Sequence, residues 1–201
     1  MSVIAAPLSP FRGYAAMRRF SVDEYHRMIE TEILTDEDKV ELLDGYVVQK
    51  MPRNPPHDVV IQRLNKRLFR IVPVGWEVRV QSAVTLTLSE PEPDIAVVRG
   101  DDHTFVAHHP GPAEIGMLVE VSDSSLDRDR DEKASIYARA DVPYYWIVNL
   151  IDRRVEVYAV PSGPGASPAY AQRQDYGPGD AVSLVLDGTV FGSIPVQDLL
   201  P

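Results

Sequence analysis

Residues 117–149 read MLVEVSDSSLDRDRDEKASIYARADVPYYWIVN, and this stretch decides the fold. It opens as an apolar strand, turns through charged residues into a helix over about 128–139, and closes as a second apolar strand, YYWIVN. Strand, helix and strand in that order predict a crossover that lays the two strands parallel. Inside the first strand stands Glu120, between Val119 and Val121. An ionised carboxylate among core valines is costly to bury unless a cation or hydrogen-bond donors hold it. Glu120 therefore demands a chemical explanation before any other residue.

The chain around it has 201 residues, which suits one domain over 1–201 with a sizeable core. Hydrophobic residues at 44% and charged residues at 25% match an ordinary globular protein. No apolar run approaches the ~20 residues of a membrane helix. Residues 1–19 read as an N-terminal arm broken by Pro7, Pro10 and Gly13, without the basic start and continuous apolar segment of an export signal. The absence of cysteine excludes disulfides, thiolate metal sites and a cysteine nucleophile, and the expected location is cytoplasmic. A net charge of −10 repels a polyanion on average, so nucleic-acid binding requires a local basic face or bound cations.

Upstream, Ser21 with Glu24 three positions later forms a capping-box pattern, which predicts a helix over about 22–32. KVELLDGYVVQKM places two β-prone runs around Asp44-Gly45, a dipeptide that tolerates the positive φ of a tight hairpin. After Pro55 and Pro56, Val60, Leu64, Leu68 and Ile71 recur at helical spacing. Arg63, Lys66, Arg67 and Arg70 share the opposite face, which reads either as a solvated surface or as a phosphate-contacting stripe. Strands are predicted at WEVRV (76–80), SAVTLTL (82–88) and DIAVV (94–98). Beyond the opening stretch, RRVEVYAV continues by a hairpin through 150–153, and 161–168 reads as a flexible loop. The last segments look like a late meander and a short terminal helix.

Asp94 stands at the mouth of the apolar run IAVV, after a proline that restricts the backbone before it. Strand alternation turns Glu120 away from the face of its valine neighbours, and a neighbouring strand would let Asp94 converge on it. Such a carboxylate pair suits a hard cation, Mg²⁺ or Mn²⁺, which takes one or two carboxylates and keeps waters or phosphate oxygens. Asp94 alone also reads as a turn residue, and Glu120 as one half of a buried ion pair. Lys133 falls in the first turns of the helix after the Glu120 strand, above the end of that strand. An ammonium there can orient a water or stabilise charge on a phosphoryl group. Asp101, Asp102, His103, His108 and His109 crowd one loop, but their spacing matches no compact metal pattern.

PEPDIAVV, VEVS and DRDEKASIYARADVPYYWIVN together resemble the Uma-type restriction endonuclease family of the PD-(D/E)xK nuclease superfamily, and the resemblance covers most of the chain. It implies an α/β, restriction-endonuclease-like fold: a mixed β-sheet core flanked by helices, with an N-terminal helix plus hairpin and a C-terminal β meander. It also implies a metal-dependent endonuclease acting on DNA, with Mg²⁺ or Mn²⁺ held by Asp94 and Glu120, the Val121 carbonyl a further ligand and Glu41 a third acid. It implies His57 as a contact to phosphate or substrate, where the residue alone also reads as a helix-start histidine. Gln81 stands near a strand end, where an amide can orient water or metal, and a homodimer is common in nucleases that cut both strands. The superfamily pattern places a lysine two residues after the glutamate, where this chain has Ser122, and the family pattern moves it to the helix, here Lys133. Asp141 and Asn149 depart from the family's usual glycine and aspartate. The alternative expectation is a binding or regulatory protein that keeps the fold with an inert pocket.

Overall fold

The computed structural model describes residues 17–101 and 103–201; Asp102 and the greater part of the expected N-terminal arm lie outside them. Helix α1 spans Val22–Glu30, and both bonds of its capping box form: Glu24 N–H to Ser21 Oγ at 3.1 Å and Ser21 N–H to Glu24 Oε2 at 3.0 Å. It stops short of the expected residue 32 because Glu32 takes a left-handed φ of 58°. Strands β1 (Val40–Leu43) and β2 (Tyr46–Gln49) pair antiparallel around Asp44 and Gly45, whose φ values of 48° and 81° are those the turn requires.

Helix α2 spans Pro55–Ile71, so both prolines lie inside its first turn. Their missing N–H groups would have no intrahelical partner there, and Asn54 caps the end by accepting the His57 N–H at 3.1 Å. This is a correction to the sequence reading, in which the prolines preceded the helix.

Six strands form the main sheet in the order β3-β4-β5-β6-β7-β8, comprising Trp76–Val80, Ile95–Arg99, Ile115–Ser122, Tyr144–Asn149, Arg154–Pro161 and Tyr170–Tyr176. Only β5 and β6 run parallel, and they are the two strands of the opening stretch. Alternation along β5 sends Met117, Val119 and Val121 to one face, where they meet Val60, Leu64 and Leu68 of α2. Leu118 goes to the other face with Tyr137, Tyr145 and Ile147. The sheet is thus sandwiched between two apolar layers, and Glu120 belongs by parity to the layer of Tyr137.

The crossover helix begins at Leu126 and changes character partway: α3 (Leu126–Arg128), a π-helical turn (Asp129–Lys133) and α4 (Ala134–Arg139) follow without a break. Residues 82–88 were expected as a strand and form none. Val84 N–H bonds Pro91 O, Thr85 N–H bonds Pro110 O, and Leu86 N–H turns back to Ser89 O. Prolines at 91, 93 and 110 have no N–H with which to continue a ladder, so the segment stays irregular while burying Val84 and Leu86. The expected late meander also divides. Strand β8 joins the main sheet, whereas β9 (Ala181–Leu186) and β10 (Thr189–Pro195) pair separately and pack Val182, Leu184 and Ile194 onto the α2 face. The terminal helix is one 3₁₀ turn, Val196–Asp198.

Candidate active site

Four elements bring acids to the carboxyl end of β5. Antiparallel pairing of β4 with β5 sets Ile95 opposite Val119, and one step further along that register Asp94 stands across from Glu120. Asp94 is held by its own backbone, whose carbonyl accepts the Gln81 N–H at 3.1 Å. Its Oδ2 accepts the Val121 N–H at 2.8 Å and lies 3.2 Å from His57 Nε2. His57 reaches it from the first turn of α2. Burial works against the Asp94 anion, but the His57 ring, the Val121 amide and the nearby Lys133 charge prevail and hold its pKa below the usual value.

Glu120 is 5% exposed. Lys133 Nζ lies 2.8 Å from its Oε1, and Tyr137 donates its hydroxyl to the same oxygen at 2.8 Å. Lys133 also approaches Glu41 Oε1 at 3.6 Å, while Glu41 Oε2 accepts the Glu92 N–H at 3.2 Å. Glu41 is 3% exposed and arrives on β1, so the N-terminal hairpin contributes a wall of the pocket. Asp129, one π turn before Lys133, is 2% exposed and accepts Ser122 Oγ at 2.6 Å and Ser125 Oγ at 2.7 Å. Ser122 thus spends its hydroxyl on Asp129, and the ammonium beside Glu120 comes from the helix.

Burial drives the electrostatics of this cluster. Desolvation, reinforced by Asp129, Asp94 and Glu41 and opposed by Lys133, pushes Glu120 up to about 8. Burial alone would lower Lys133, but Glu120, Glu41 and Asp129 outweigh it and keep the ammonium protonated. Both directions describe one surplus of negative charge around one lysine. Because Oε1 already accepts from Lys133 and Tyr137, a proton on Glu120 resides on Oε2. Burial likewise raises Asp129, and it works against the His57 cation, which the adjoining Asp94 nonetheless favours.

Asp94, Glu120, Glu41, His57, Lys133 and Val121 line one cavity of about 80 Å³. The donor set fits a hard divalent cation. Asp94 Oδ1 and Glu120 Oε2 accept no hydrogen bond among the described residues, and the local excess of acid is the charge such an ion neutralises. No group of three or more His, Cys, Asp or Glu side chains is placed to enclose a metal among the described residues, so the fit is to an ion that keeps much of its water.

Other expected site residues are placed elsewhere. Gln81, at a φ of 50°, turns its amide oxygen to Arg53 Nη1 at 2.6 Å instead of into the cavity. Arg63 donates to the Leu200 carbonyl and Arg67 pairs with Asp198 at 3.1 Å, leaving Lys66 and Arg70 exposed. The continuous basic stripe expected on α2 is therefore divided, because the C-terminal segment folds back over half of it. In the 101–109 loop, the Asp101 carboxylate caps the backbone N–H groups of His103 and Thr104, and His108 lies 3.5 Å from Glu114. Asp129 and Tyr137 are the partners whose roles the sequence did not reveal. Their spacing of four from Lys133 on either side was the available signal. A larger cavity of about 740 Å³ opens at the other end of β5 beside Trp76 and Tyr144, and none of its lining residues is a lysine or histidine.

A six-stranded mixed sheet with one parallel crossover, flanked by helices, is a restriction-endonuclease-like architecture. The chain belongs to the family described as "Uma2: Putative restriction endonuclease", whose model matches residues 22–192. Among solved structures it is similar to a protein from Anabaena variabilis ATCC 29413, described as "a putative nuclease belonging to DUF820". The identity is 13%, the TM-score 0.65, and the match covers 90% of this chain and 97% of the other, a likeness of fold. No curated protein matches the chain. No helix among the described residues is long and apolar enough to cross a membrane.

Proposed function

We propose that the protein is a metal-dependent endonuclease that hydrolyses DNA phosphodiester bonds. The observation that carries this reading is the convergence of Asp94, Glu120 and Lys133 from three separate elements on one small acidic cavity. A cavity of about 80 Å³ is far smaller than the ~300–1,000 Å³ typical of pockets that enclose a small molecule. It has room for an ion with a few waters or for the oxygens of one phosphate, so the rest of the substrate stays outside, as a polymer backbone does.

In this reading Asp94, Glu120 and the Val121 carbonyl hold Mg²⁺ or Mn²⁺, with Glu41 behind them. When bound, the ion supplies positive charge to phosphate oxygens and makes a water easier to deprotonate. Lys133 keeps its proton and is fixed by Glu120 and Glu41, so its role is to donate to a non-bridging phosphate oxygen as charge builds there. His57 orients Asp94 through Nε2, and Tyr137 fixes the Glu120 rotamer through its hydroxyl. The net reaction adds water across one P–O ester bond. Action on both strands of a duplex brings in a homodimer, and a cytoplasmic location accords with a cysteine-free chain.

A second reading, an inert binding protein with this fold, draws on the Lys133–Glu120 contact, which occupies one carboxylate oxygen, and on the net charge of −10. Incubation of supercoiled plasmid with the purified protein and Mg²⁺ or Mn²⁺, beside Asp94→Ala and Lys133→Ala, separates the two. Cation-dependent nicking lost in both variants is expected. Nicking that survives in the variants removes the assigned site, and its absence in every form favours the binder.

A further inference from the structure

The rim of the acidic cavity carries cations that the sequence pattern did not single out. Residues 51–54 run without regular structure along one wall, and the turn from Asp123 into α3 forms the other. Arg53 projects from the first wall and Arg128 from the second, and both line the cavity. Neither forms an ion pair with a carboxylate among the described residues. Arg53 Nη1 donates to the Gln81 amide oxygen at 2.6 Å and Arg128 Nη1 to the Gln49 carbonyl at 3.3 Å. Lys50, the other basic rim residue, is neutralised by Glu92. A bond of 2.7 Å from Asn54 Nδ2 to Asp123 Oδ2 ties the two walls together beside the arginines.

The α2 stripe compares poorly. At ~1.5 Å of rise per residue, Lys66 and Arg70 lie roughly 14 and 20 Å along the helix from His57, which is the residue of α2 that reaches the cavity. Arg63 and Arg67 are committed to the C-terminal segment.

We propose that Arg53 and Arg128 clamp the two backbone phosphates that flank the reacting one, each guanidinium facing one phosphate, and that this rim, not the α2 stripe, holds the nucleic-acid strand over the cavity. Unpaired guanidinium groups offer planar, paired donors that match phosphate oxygens. Their hydrogen-bond partners, an amide oxygen and a backbone carbonyl, are neutral; Glu132 feels the Arg128 charge but forms no ion pair with it, so both guanidinium groups keep donors for phosphate. They also resolve the conflict between a strongly acidic chain and a polyanionic substrate, since the cations stand where the strand must pass. The proposal rests on the nuclease reading above.

The test is the anisotropy of a fluorescein-labelled 20-base-pair duplex titrated with protein in EDTA, so that no cleavage occurs, across a series of salt concentrations. Arg53→Ala and Arg128→Ala are each expected to weaken binding several-fold and to reduce the slope of log K against log salt by about 0.9, the value for one lost phosphate contact. Lys66→Ala and Arg70→Ala are expected to leave both unchanged, and Arg53→Lys to restore most of the slope. Wild-type binding that is insensitive to Arg53→Ala and Arg128→Ala, or that falls with Lys66→Ala and Arg70→Ala, overturns the rim assignment while plasmid nicking still upholds the nuclease. A wild type that neither binds the duplex nor nicks plasmid with Mg²⁺ or Mn²⁺ overturns both.

Discussion

Lys133 Nζ lies 2.8 Å from Glu120 Oε1, although the two stand thirteen positions apart, with a charged turn between them and Lys133 closing a π-helical turn. Lys133 brings its ammonium to the carboxylate on the strand from the helix above it. Its side chain is 7% exposed and that of Glu120 is 6%, so the pair is buried as a unit.

Replacing Lys133 by methionine tests the role proposed for this ammonium. The variant loses the donor aimed at the phosphate, and plasmid nicking is expected to fall by about 10²–10³-fold, the usual effect of removing one such group. Breaking a buried pair costs about 3–5 kcal/mol when the remaining charge stays ionised. Glu120 can take up a proton instead, so urea unfolding is expected to register less than that.

Divalent cations are expected to stabilise the protein. At a concentration 100 times its dissociation constant, an ion bound only by the folded state adds about 2.7 kcal/mol, which raises Tm by roughly 5–10 °C for a chain of this size. Differential scanning calorimetry with Mg²⁺ and Mn²⁺ should show this rise in the wild type and none in Asp94→Ala. A rise that persists in the variant places the ion elsewhere.

Tyr137→Phe removes the hydroxyl that Glu120 accepts at 2.8 Å and little else. Loss of one hydrogen bond predicts about 0.5–1.5 kcal/mol of destabilisation. With the Glu120 rotamer less constrained, kcat is expected to fall several-fold while duplex affinity in EDTA is unchanged. An equal fall in affinity would show that Tyr137 shapes the rim as well.

Away from the cavity, Glu156 on β7 has no exposed surface and is ringed by Arg130, Asn149, Arg173 and Tyr158. Burial opposes its charge, but the hydrogen bonds from Arg130 and Asn149 and the Arg173 charge prevail and depress its pKa. A carboxylate depressed in the folded state adds stability that is fully present above its unfolded pKa and disappears as pH falls through the folded value. Glu156→Gln should therefore cost roughly 1.5–3 kcal/mol near neutral pH. Its disadvantage should shrink as pH falls past the ordinary glutamate value and through the lower folded one, where the wild-type group protonates as well. Urea titrations from pH 3 to 7 measure both. Because Arg130 lies inside the π turn, a loss of nicking greater than the loss of stability would show that this network also aims Lys133.

Local chemistry made much of the fold legible. Ser21 with Glu24, Asp44-Gly45 and the alternation from Met117 to Val121 specify a capped helix, a hairpin and a two-faced strand through contacts only a few residues apart. The same local logic failed at 82–88, where alternation is strand-like but the surrounding prolines deny the ladder its donors. It failed again on α2, where four basic residues share a face in sequence and Leu200 and Asp198 divide them in space. Asp129 and Lys133 share the cavity by way of a π turn, which no pattern of polar and apolar residues announces.

The sequence by itself determined the parallel crossover, the burial of Glu120 and the need for a counter-charge, because a carboxylate between core valines cannot be solvated by water. Only the tertiary structure decided what answers that need. The β4–β5 register puts Asp94 across from Glu120, the N-terminal hairpin delivers Glu41, and the helix swings Lys133 and Tyr137 onto one oxygen. These are contacts between distant segments, set by how two apolar layers pack on one sheet, and their geometry exists only once that packing is complete.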